Sequence, residues 1–194
     1  MNRITCLLIF VGLTPGIAQT TWGGLKFGMT PTEVKTALKG KQIEESVESK
    51  NEYRPEWLIL TVKDIAVDRH KGEARLIFPG PERKLKRVAL WFSRVDEGTG
   101  CFDVPKDEVL PRISLIEDIS QRLVERYGKP VSETGSIPTR DELIKIYVYK
   151  AVSVKIDVKR IWKADGQIIE QWLIMPCGTV FLSISYSPEP KSEL

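Results

Sequence analysis

Histidine and cysteine side chains commonly supply catalytic bases, nucleophiles and zinc ligands, and this chain of 194 residues contains one histidine and three cysteines. Nucleophilic catalysis through a histidine base needs a third group that orients the imidazole toward a serine or cysteine. The sequence has no Gly-x-Ser-x-Gly motif that would supply such a serine. His70 is followed by Lys71 and Gly72, which predict a turn, so we interpret it as an exposed turn histidine.

Metal and cofactor sites have little support in the sequence. A zinc site needs several histidines or cysteines at close spacing, whereas His70, Cys101 and Cys177 are widely separated. Neither a Gly-x-x-x-x-Gly-Lys phosphate loop nor a dinucleotide-binding fingerprint is present. The sequence therefore predicts no metal and no cofactor.

Paired carboxylates are another source of acid–base chemistry. The acidic pairs here are neighbours in sequence, and neighbours on a helix or strand point in different directions. They are Glu44-Glu45, Asp96-Glu97, Asp107-Glu108, Glu117-Asp118 and Asp141-Glu142. No catalytic residue is therefore predicted. Carboxylates from distant parts of the chain can still meet, so a small hydrolase with such a site is the alternative hypothesis for function.

The first 18 residues have the layout of a secretory signal peptide. Arg3 precedes an apolar run over residues 4–13, and Pro15, Gly16 and Ala18 follow. This run is shorter than the roughly 20 residues that cross a bilayer, and no cysteine stands at the cleavage position to carry a lipid. We expect cleavage near Ala18 and a periplasmic or secreted product without a transmembrane anchor.

The charge balance bears on the class of partner. The formal net charge is +3, and Arg3 would leave with the signal peptide. Nucleic-acid binding favours a clearly basic face, which a nearly neutral chain lacks. The basic run over residues 83–87 is typical of a solvated strand edge, with contact to an anionic surface as the alternative. We therefore predict no nucleic-acid partner.

Two cysteines, Cys101 and Cys177, would reach a compartment that permits oxidation. Both lie beside turn residues, so we predict that they form one disulfide. Two separate thiols are the alternative, because the sequence does not contain the geometry of the pair.

A helix start is marked around Thr30. Thr30 and Glu33 have the spacing of a capping box, and Pro31 takes the first helical position. Gly40 stands where a left-handed cap residue ends a helix, which predicts a helix over residues 31–39. Nine residues are too few for a stable isolated helix, so it must pack on a sheet.

The rest of the chain alternates between strand and helix periods. Residues 41–55 predict a loop or weak edge strand, and three strands with a turn at 70–72 are predicted over 56–92. A helical stripe follows, with its start at Pro111 or Ser114 and its end before Gly128; it consists of Leu110, Ile113, Ile116, Ile119, Leu123 and Tyr127. After a turn-rich passage, strands are predicted over 143–149, 154–159, 168–175 and 180–186, with a hairpin at Asp165-Gly166.

A helix followed by antiparallel strands thus occurs twice. We predict an α+β fold of two tandem helix-plus-antiparallel-meander halves, with the helices on one face of an antiparallel sheet. The predicted boundaries are a signal peptide at 1–18, a first half at 19–97, a connector at 98–106, a second half at 107–188 and a tail at 189–194.

A family resemblance supports this organisation. Gly28-Met29-Thr30-Pro31-Thr32-Glu33-Val34, with Leu38 and Gly40, resembles the Gly-Met-Thr-x-x-x-Val helix start of the small outer-membrane assembly lipoproteins related to small protein A. In element order, including the Tyr127-Gly128-Lys129-Pro130 helix end, the chain also resembles secreted bacterial proteins folded like beta-lactamase inhibitory protein. The resemblance implies that each half is one or more helices laid on an antiparallel sheet.

An antiparallel sheet with helices on one side need not be covered on the other. Residues that alternate with the core set would form a partly aromatic patch there: Trp57, Ile59, Trp91, Tyr147, Tyr149 and Phe181. Such patches on soluble proteins often mark partner sites. We therefore predict a secreted, non-enzymatic protein that binds an unidentified protein or envelope component through this face.

Overall fold

The computed structural model describes residues 22–48, 56–67, 70–92, 106–149, 156–175 and 180–190. These residues have an α+β fold with three α-helices and one eight-stranded antiparallel sheet. The helices are α1 (Pro31–Ala37), α2 (Lys106–Tyr127) and α3 (Arg140–Tyr149). The strands are β1 (Ile43–Glu48), β2 (Trp57–Val67), β3 (His70–Pro79), β4 (Arg87–Trp91), β5 (Ser132–Thr134), β6 (Asp157–Ala164), β7 (Gln167–Ile174) and β8 (Phe181–Pro188).

The strand order across the sheet is β1-β2-β3-β4-β8-β7-β6-β5. The first four strands follow chain order and the last four follow reversed chain order, so β4 and β8 meet at the centre. Ala89 of β4 lies opposite Ser185 of β8 in this antiparallel pair. The outer strand β1 has a half-buried Ile43 and exposed residues thereafter, which confirms the edge-strand alternative for residues 43–48 of the predicted stretch.

The start of α1 confirms the capping box. Thr30 is the N-cap: its hydroxyl oxygen accepts from the Glu33 amide at 3.3 Å, and its own amide donates to Glu33 Oε2 at 2.7 Å. Val34 is fully buried, so the helix packs against the sheet through this side chain. The helix ends at Ala37 with Leu38 as C-cap, two residues before the predicted end. Gly40 has a φ of +90°, the left-handed conformation expected of a residue that follows a helix.

The core lies between the helices and one face of the sheet. Alternate strand residues face it, among them Leu60, Leu76, Leu90, Leu173, Leu182 and Ile184. A buried polar contact also crosses this layer, since Gln171 of β7 donates from Nε2 to Ser120 Oγ of α2 at 2.6 Å. At the end of α2, the indole of buried Trp162 donates to the carbonyl of Gly128 at 2.8 Å. Gly128 follows the last helical residue, as predicted.

The predicted start of α2 was wrong. The helix begins at Lys106, and Pro111 lies inside it. The buried stripe begins at Val109, which is 5% exposed, whereas Leu110 is 54% exposed. Val109, Ile113 and Ile116 have the spacings of four and three that keep residues on one helical face, so Val109 takes the place predicted for Leu110. The later members of the predicted stripe, from Ile113 to Leu123, are buried.

The strand predicted over 143–149 was also wrong, because these residues belong to α3. Their burial has helical spacing: Leu143, Ile146 and Tyr147 are buried and the residues between them are more exposed. A second capping box precedes this burial pattern. Thr139 donates from its amide to Glu142 Oε2 at 2.7 Å, and the Glu142 amide donates to Thr139 Oγ1 at 3.3 Å. This local device overrides the strand propensity of a run rich in isoleucine, valine and tyrosine.

The turn predicted at residues 70–72 was wrong as well. His70 and Gly72 lie in β3, where they pair with Val67 and Ile65. Gly72 is needed because a Cβ at this position would clash with the carbonyl oxygen of Trp91 in β4. The glycine therefore permits close strand approach and does not mark a turn.

Candidate interaction surface on the open sheet face

Alternate strand residues form a second sheet face on the side away from the helices, and no described helix covers it. We call this side the open face. One row of residues in register crosses it from β2 to β6: Thr61, Arg75, Ala89, Ser185, Glu170 and Ile161. Ala89 and Ser185 at its centre are each only 6% exposed. Their burial shows that the longer side chains around them cover the middle of the sheet.

An aromatic cluster lies on the open face at one end of the two central strands, β4 and β8. Trp91 and Phe181 meet edge to face, with ring centroids 5.0 Å apart and planes at 85°. The guanidinium carbon of Arg75 lies 4.0 Å from the centroid of the Trp91 ring. Both geometries are favourable, the first between ring quadrupoles and the second between a cation and an aromatic face. Trp91 is therefore held in one orientation by two neighbours.

Ion pairs extend from this aromatic cluster toward β1. Arg75 Nε donates to Glu73 Oε1 at 2.9 Å, and Lys63 Nζ lies 3.3 Å from Glu73 and 3.4 Å from Glu44. Burial opposes the charge on Lys63, but the carboxylates of Glu73 and Glu44 outweigh it and raise the pKa of the lysine. The cations and anions named here, on the β1 side of the open face, are thus paired with one another.

A second set of ion pairs extends toward β6. Glu170 accepts from Lys159 Nζ at 2.8 Å and from Arg87 at 3.3 Å, and Arg87 also donates to Ser185 Oγ at 2.9 Å. Burial alone would raise the pKa of Glu170. The hydrogen bond and charge of Lys159, with the charge of Arg87, outweigh burial and lower that pKa. Glu170 therefore stays ionised and ties three strands together.

Trp172 is the most exposed tryptophan of this face. It is 46% exposed, and its indole donates to Asp157 Oδ1 at 3.2 Å. Trp91, Ser183 and Trp172 are opposite one another across β4, β8 and β7. Two strand spacings place the two tryptophans roughly 10 Å apart, on either side of a small serine.

The structure separates the six residues predicted to form a partner surface. Four lie on the open face: Trp57 and Ile59 in β2, Trp91 in β4 and Phe181 in β8. Ile59 and Phe181 are buried there by neighbouring side chains, whereas Trp57 and Trp91 are half-buried. Tyr147 and Tyr149 lie on α3, the former 7% and the latter 74% exposed. The six residues therefore do not form one continuous patch.

Sequence reasoning did not include Trp172 in the predicted partner surface and did not predict the ion pairs of the open face. For Trp172 a signal was present, because it alternates with the buried Gln171 and Leu173 in β7. The ion pairs had no such signal. Arg87 and Glu170 are 83 positions apart, and only the pairing of β4, β8 and β7 brings them together.

His70 differs from the exposed turn histidine that was predicted. Its side chain is 11% exposed, and Nε2 lies 2.9 Å from Oδ2 of Asp118 in α2. The carboxylate orients the ring, but no further described contact places a hydroxyl or thiol at the imidazole. The pair joins the sheet to α2.

The described residues offer little for metal binding or acid–base chemistry. No group of three or more histidine, cysteine or acidic side chains is placed to hold a metal ion there. A cavity beneath α2 has one carboxylate among its described lining residues, Glu125. None of the described helices is both long and apolar enough to cross a membrane.

Comparison with protein-family models, curated proteins and solved structures finds no match to this chain. Cys101, Cys177 and the predicted signal peptide lie outside the described residues.

Proposed function

We propose that this chain is a secreted, non-enzymatic envelope protein that binds a folded protein partner through the open face of its sheet. The observation that carries the proposal is the aromatic and charged character of a sheet face that no described helix covers. Eight strands at their usual spacing make this face roughly 35 Å wide. A standard interface buries about 800 Å² on each partner, which a surface of this width can provide.

The residue types support a protein partner. Tryptophan and arginine are enriched at the centres of protein interfaces, where they act as anchors. Trp91 is already fixed by Arg75 and Phe181, so little conformational entropy is lost when a partner covers it. The charges of both signs are paired within the face, which does not favour a polyanion such as nucleic acid.

Two tandem halves form part of the proposal. One half ends with β4 and the other with β8, and these terminal strands pair at the centre of the sheet. Each half contributes helical cover on the same side and strands to the open side. This organisation supports the resemblance to secreted proteins folded like beta-lactamase inhibitory protein, and the predicted signal peptide supports delivery to the envelope.

Substitution of Trp172 tests the proposal most directly, because this tryptophan is exposed. The full chain carrying Trp172→Ala should capture less of its partner from the native envelope in cross-linking and mass spectrometry. Tyr149→Ala is the matched control, since it removes an exposed aromatic side chain from α3 on the other layer. Trp91→Ala is less informative, because it also removes the contacts to Phe181 and Arg75 and should lower thermal stability.

The two single variants distinguish the outcomes. Reduced capture by Trp172→Ala, with capture by Tyr149→Ala unchanged, supports the open face. The reverse result would move the binding surface to the helical layer. If both variants capture as much partner as the unchanged protein, neither Trp172 on the open face nor Tyr149 on the helical layer contributes to binding, and the proposal is contradicted.

A further inference from the structure

A cavity of about 490 Å³ lies on the helical side of the sheet. Its floor is formed by Leu90 and Ile184, which are opposite each other in the central strands β4 and β8. Ile119 and Leu123 of α2 form an apolar wall, and Trp22 and Val67 line the part nearest the first strands. This volume is within the range of about 300 to 1,000 Å³ that is typical of small-molecule sites.

The polar groups of the cavity come from the end of α2 and from β8. Arg122 and Arg126 are one turn apart on the helix, and their side chains are exposed beside the apolar wall. Glu125 is the carboxylate of the described lining, and Gln121 Nε2 already donates to it at 2.7 Å. The described lining on this side thus carries two guanidinium groups and one carboxylate, and Arg126 is the guanidinium beside the tyrosines.

Two phenols complete the lining, Tyr127 and Tyr186. Burial first, and then the neighbouring Tyr127, raise the pKa of Tyr186. Like that of any tyrosine, its hydroxyl is protonated at neutral pH, and it forms a hydrogen bond with Tyr127. The Arg126 guanidinium carbon lies 5.2 Å from the centroid of the Tyr127 ring, which places cation and phenol at the same end of the cavity. One end is consequently cationic and hydrogen-bonding, while the floor is apolar.

We propose that this cavity binds a small molecule with an apolar alkyl or aromatic body and an anionic head group such as a carboxylate. The body contacts Leu90, Leu123 and Ile184. The head group lies at the mouth, where the Arg126 guanidinium pairs with it and a tyrosine hydroxyl donates to it. The site is on the opposite side of the sheet from the open face and does not depend on the proposed protein partner.

Decanoate is a suitable probe, because it combines a ten-carbon apolar chain with one carboxylate. Titration calorimetry of the full chain should show saturable binding of about one decanoate per molecule. Decyltrimethylammonium has the same tail and the opposite charge, and should bind at least about tenfold more weakly, since charge-assisted hydrogen bonds are lost. Equal binding of the two probes, or no saturable binding of decanoate, would overturn the proposal.

Variants locate the site. Arg126→Gln should weaken decanoate binding by about tenfold or more, because the head group loses the cation that pairs with it. Arg140→Gln is the matched control, since Arg140 is an exposed arginine of α3 that pairs with Glu117. Val67→Trp should obstruct the cavity from its edge and abolish binding. If the Arg140 variant loses as much affinity as the Arg126 variant, or if Val67→Trp binds normally with unchanged circular dichroism, the cavity is not the site.

Discussion

The imidazole Nε2 of His70 lies 2.9 Å from Oδ2 of Asp118, and the contact joins the first residue of β3 to α2 across 48 positions of sequence. The two side chains are 11% and 29% exposed. Water screens such a pair less than a surface pair, and removal of one partner leaves a polar group without its hydrogen bond. The histidine therefore contributes to the attachment of α2 to the sheet.

We expect His70→Ala to lower the free energy of unfolding by about 1–3 kcal/mol. Urea unfolding of His70→Ala, Asp118→Asn and the double variant gives their coupling energy. The exposed pair between Arg140 of α3 and Glu117 of α2 is a suitable control and should couple by less than about 1 kcal/mol. Additive effects at His70 and Asp118 would contradict a specific interaction.

The capping boxes of α1 and α3 predict two equal stability effects. Thr30→Ala and Thr139→Ala should each cost about 1 kcal/mol, because both remove the hydroxyl that accepts from the third helical amide. Thr32→Ala removes an exposed threonine inside α1 and should not destabilise the protein comparably. Coincident urea midpoints for Thr30→Ala and the unchanged protein would contradict the capping interpretation.

The same boxes predict a pH dependence. The backbone hydrogen bond from Thr30 lowers the pKa of Glu33 below its ordinary value of 4.5, and the backbone bond from Thr139 does the same for Glu142. When the pKa of a carboxyl group is lower in the folded state, the carboxylate contributes its full stabilisation above the ordinary pKa. This stabilisation disappears as the pH falls through the lowered pKa. The stability difference between the unchanged protein and Glu33→Ala should therefore shrink on acidification, as measured by urea unfolding at neutral pH and well below 4.5. A stability difference that does not change with pH would contradict the role of the Glu33 carboxylate in the cap.

Gln171 and Ser120 form a buried hydrogen-bonded pair that satisfies only part of the Gln171 amide. Gln171 is fully buried, and its Oε1 has no hydrogen-bond partner among the described residues. Ser120→Ala should cost about 1–3 kcal/mol, because the amide of Gln171 then loses its acceptor as well. Addition of Gln171→Leu should recover much of this loss by removing the buried amide. Urea unfolding measures both, and a double variant less stable than Ser120→Ala would contradict the argument.

The predicted Cys101 and Cys177 disulfide would close a loop for which chain entropy gives about 4 kcal/mol of stabilisation as an upper guide. Thiol titration of the denatured, unreduced secreted protein should find no free thiol. Intact mass of the same sample should correspond to a chain that begins near Gln19. Two titratable thiols would refute the bridge, and a mass that includes residues 1–18 would refute cleavage.

Local sequence signals were dependable where the interacting groups are close neighbours in the chain. The Thr30 and Glu33 box, the end of α2 before Gly128 and the turn at Asp165-Gly166 were all predicted, because each needs only residues within a few positions. The same signal was present at Thr139 and Glu142, and its recognition would have predicted α3 in place of a strand. The prediction followed strand propensity because the apolar run over residues 143–149 is short and fits both the helical and the strand period.

The sequence by itself determined the α+β class, most strand alternation and the first helix cap, because these depend on local periods and side-chain-to-backbone hydrogen bonds. Tertiary structure alone decided that β4 pairs with β8, that His70 meets Asp118, and that Trp91 and Trp172 flank Ser183 on one face. These relationships join residues far apart in the chain. Their formation depends on which strands meet and which sheet face the helices cover, and neither is encoded within a single turn or strand.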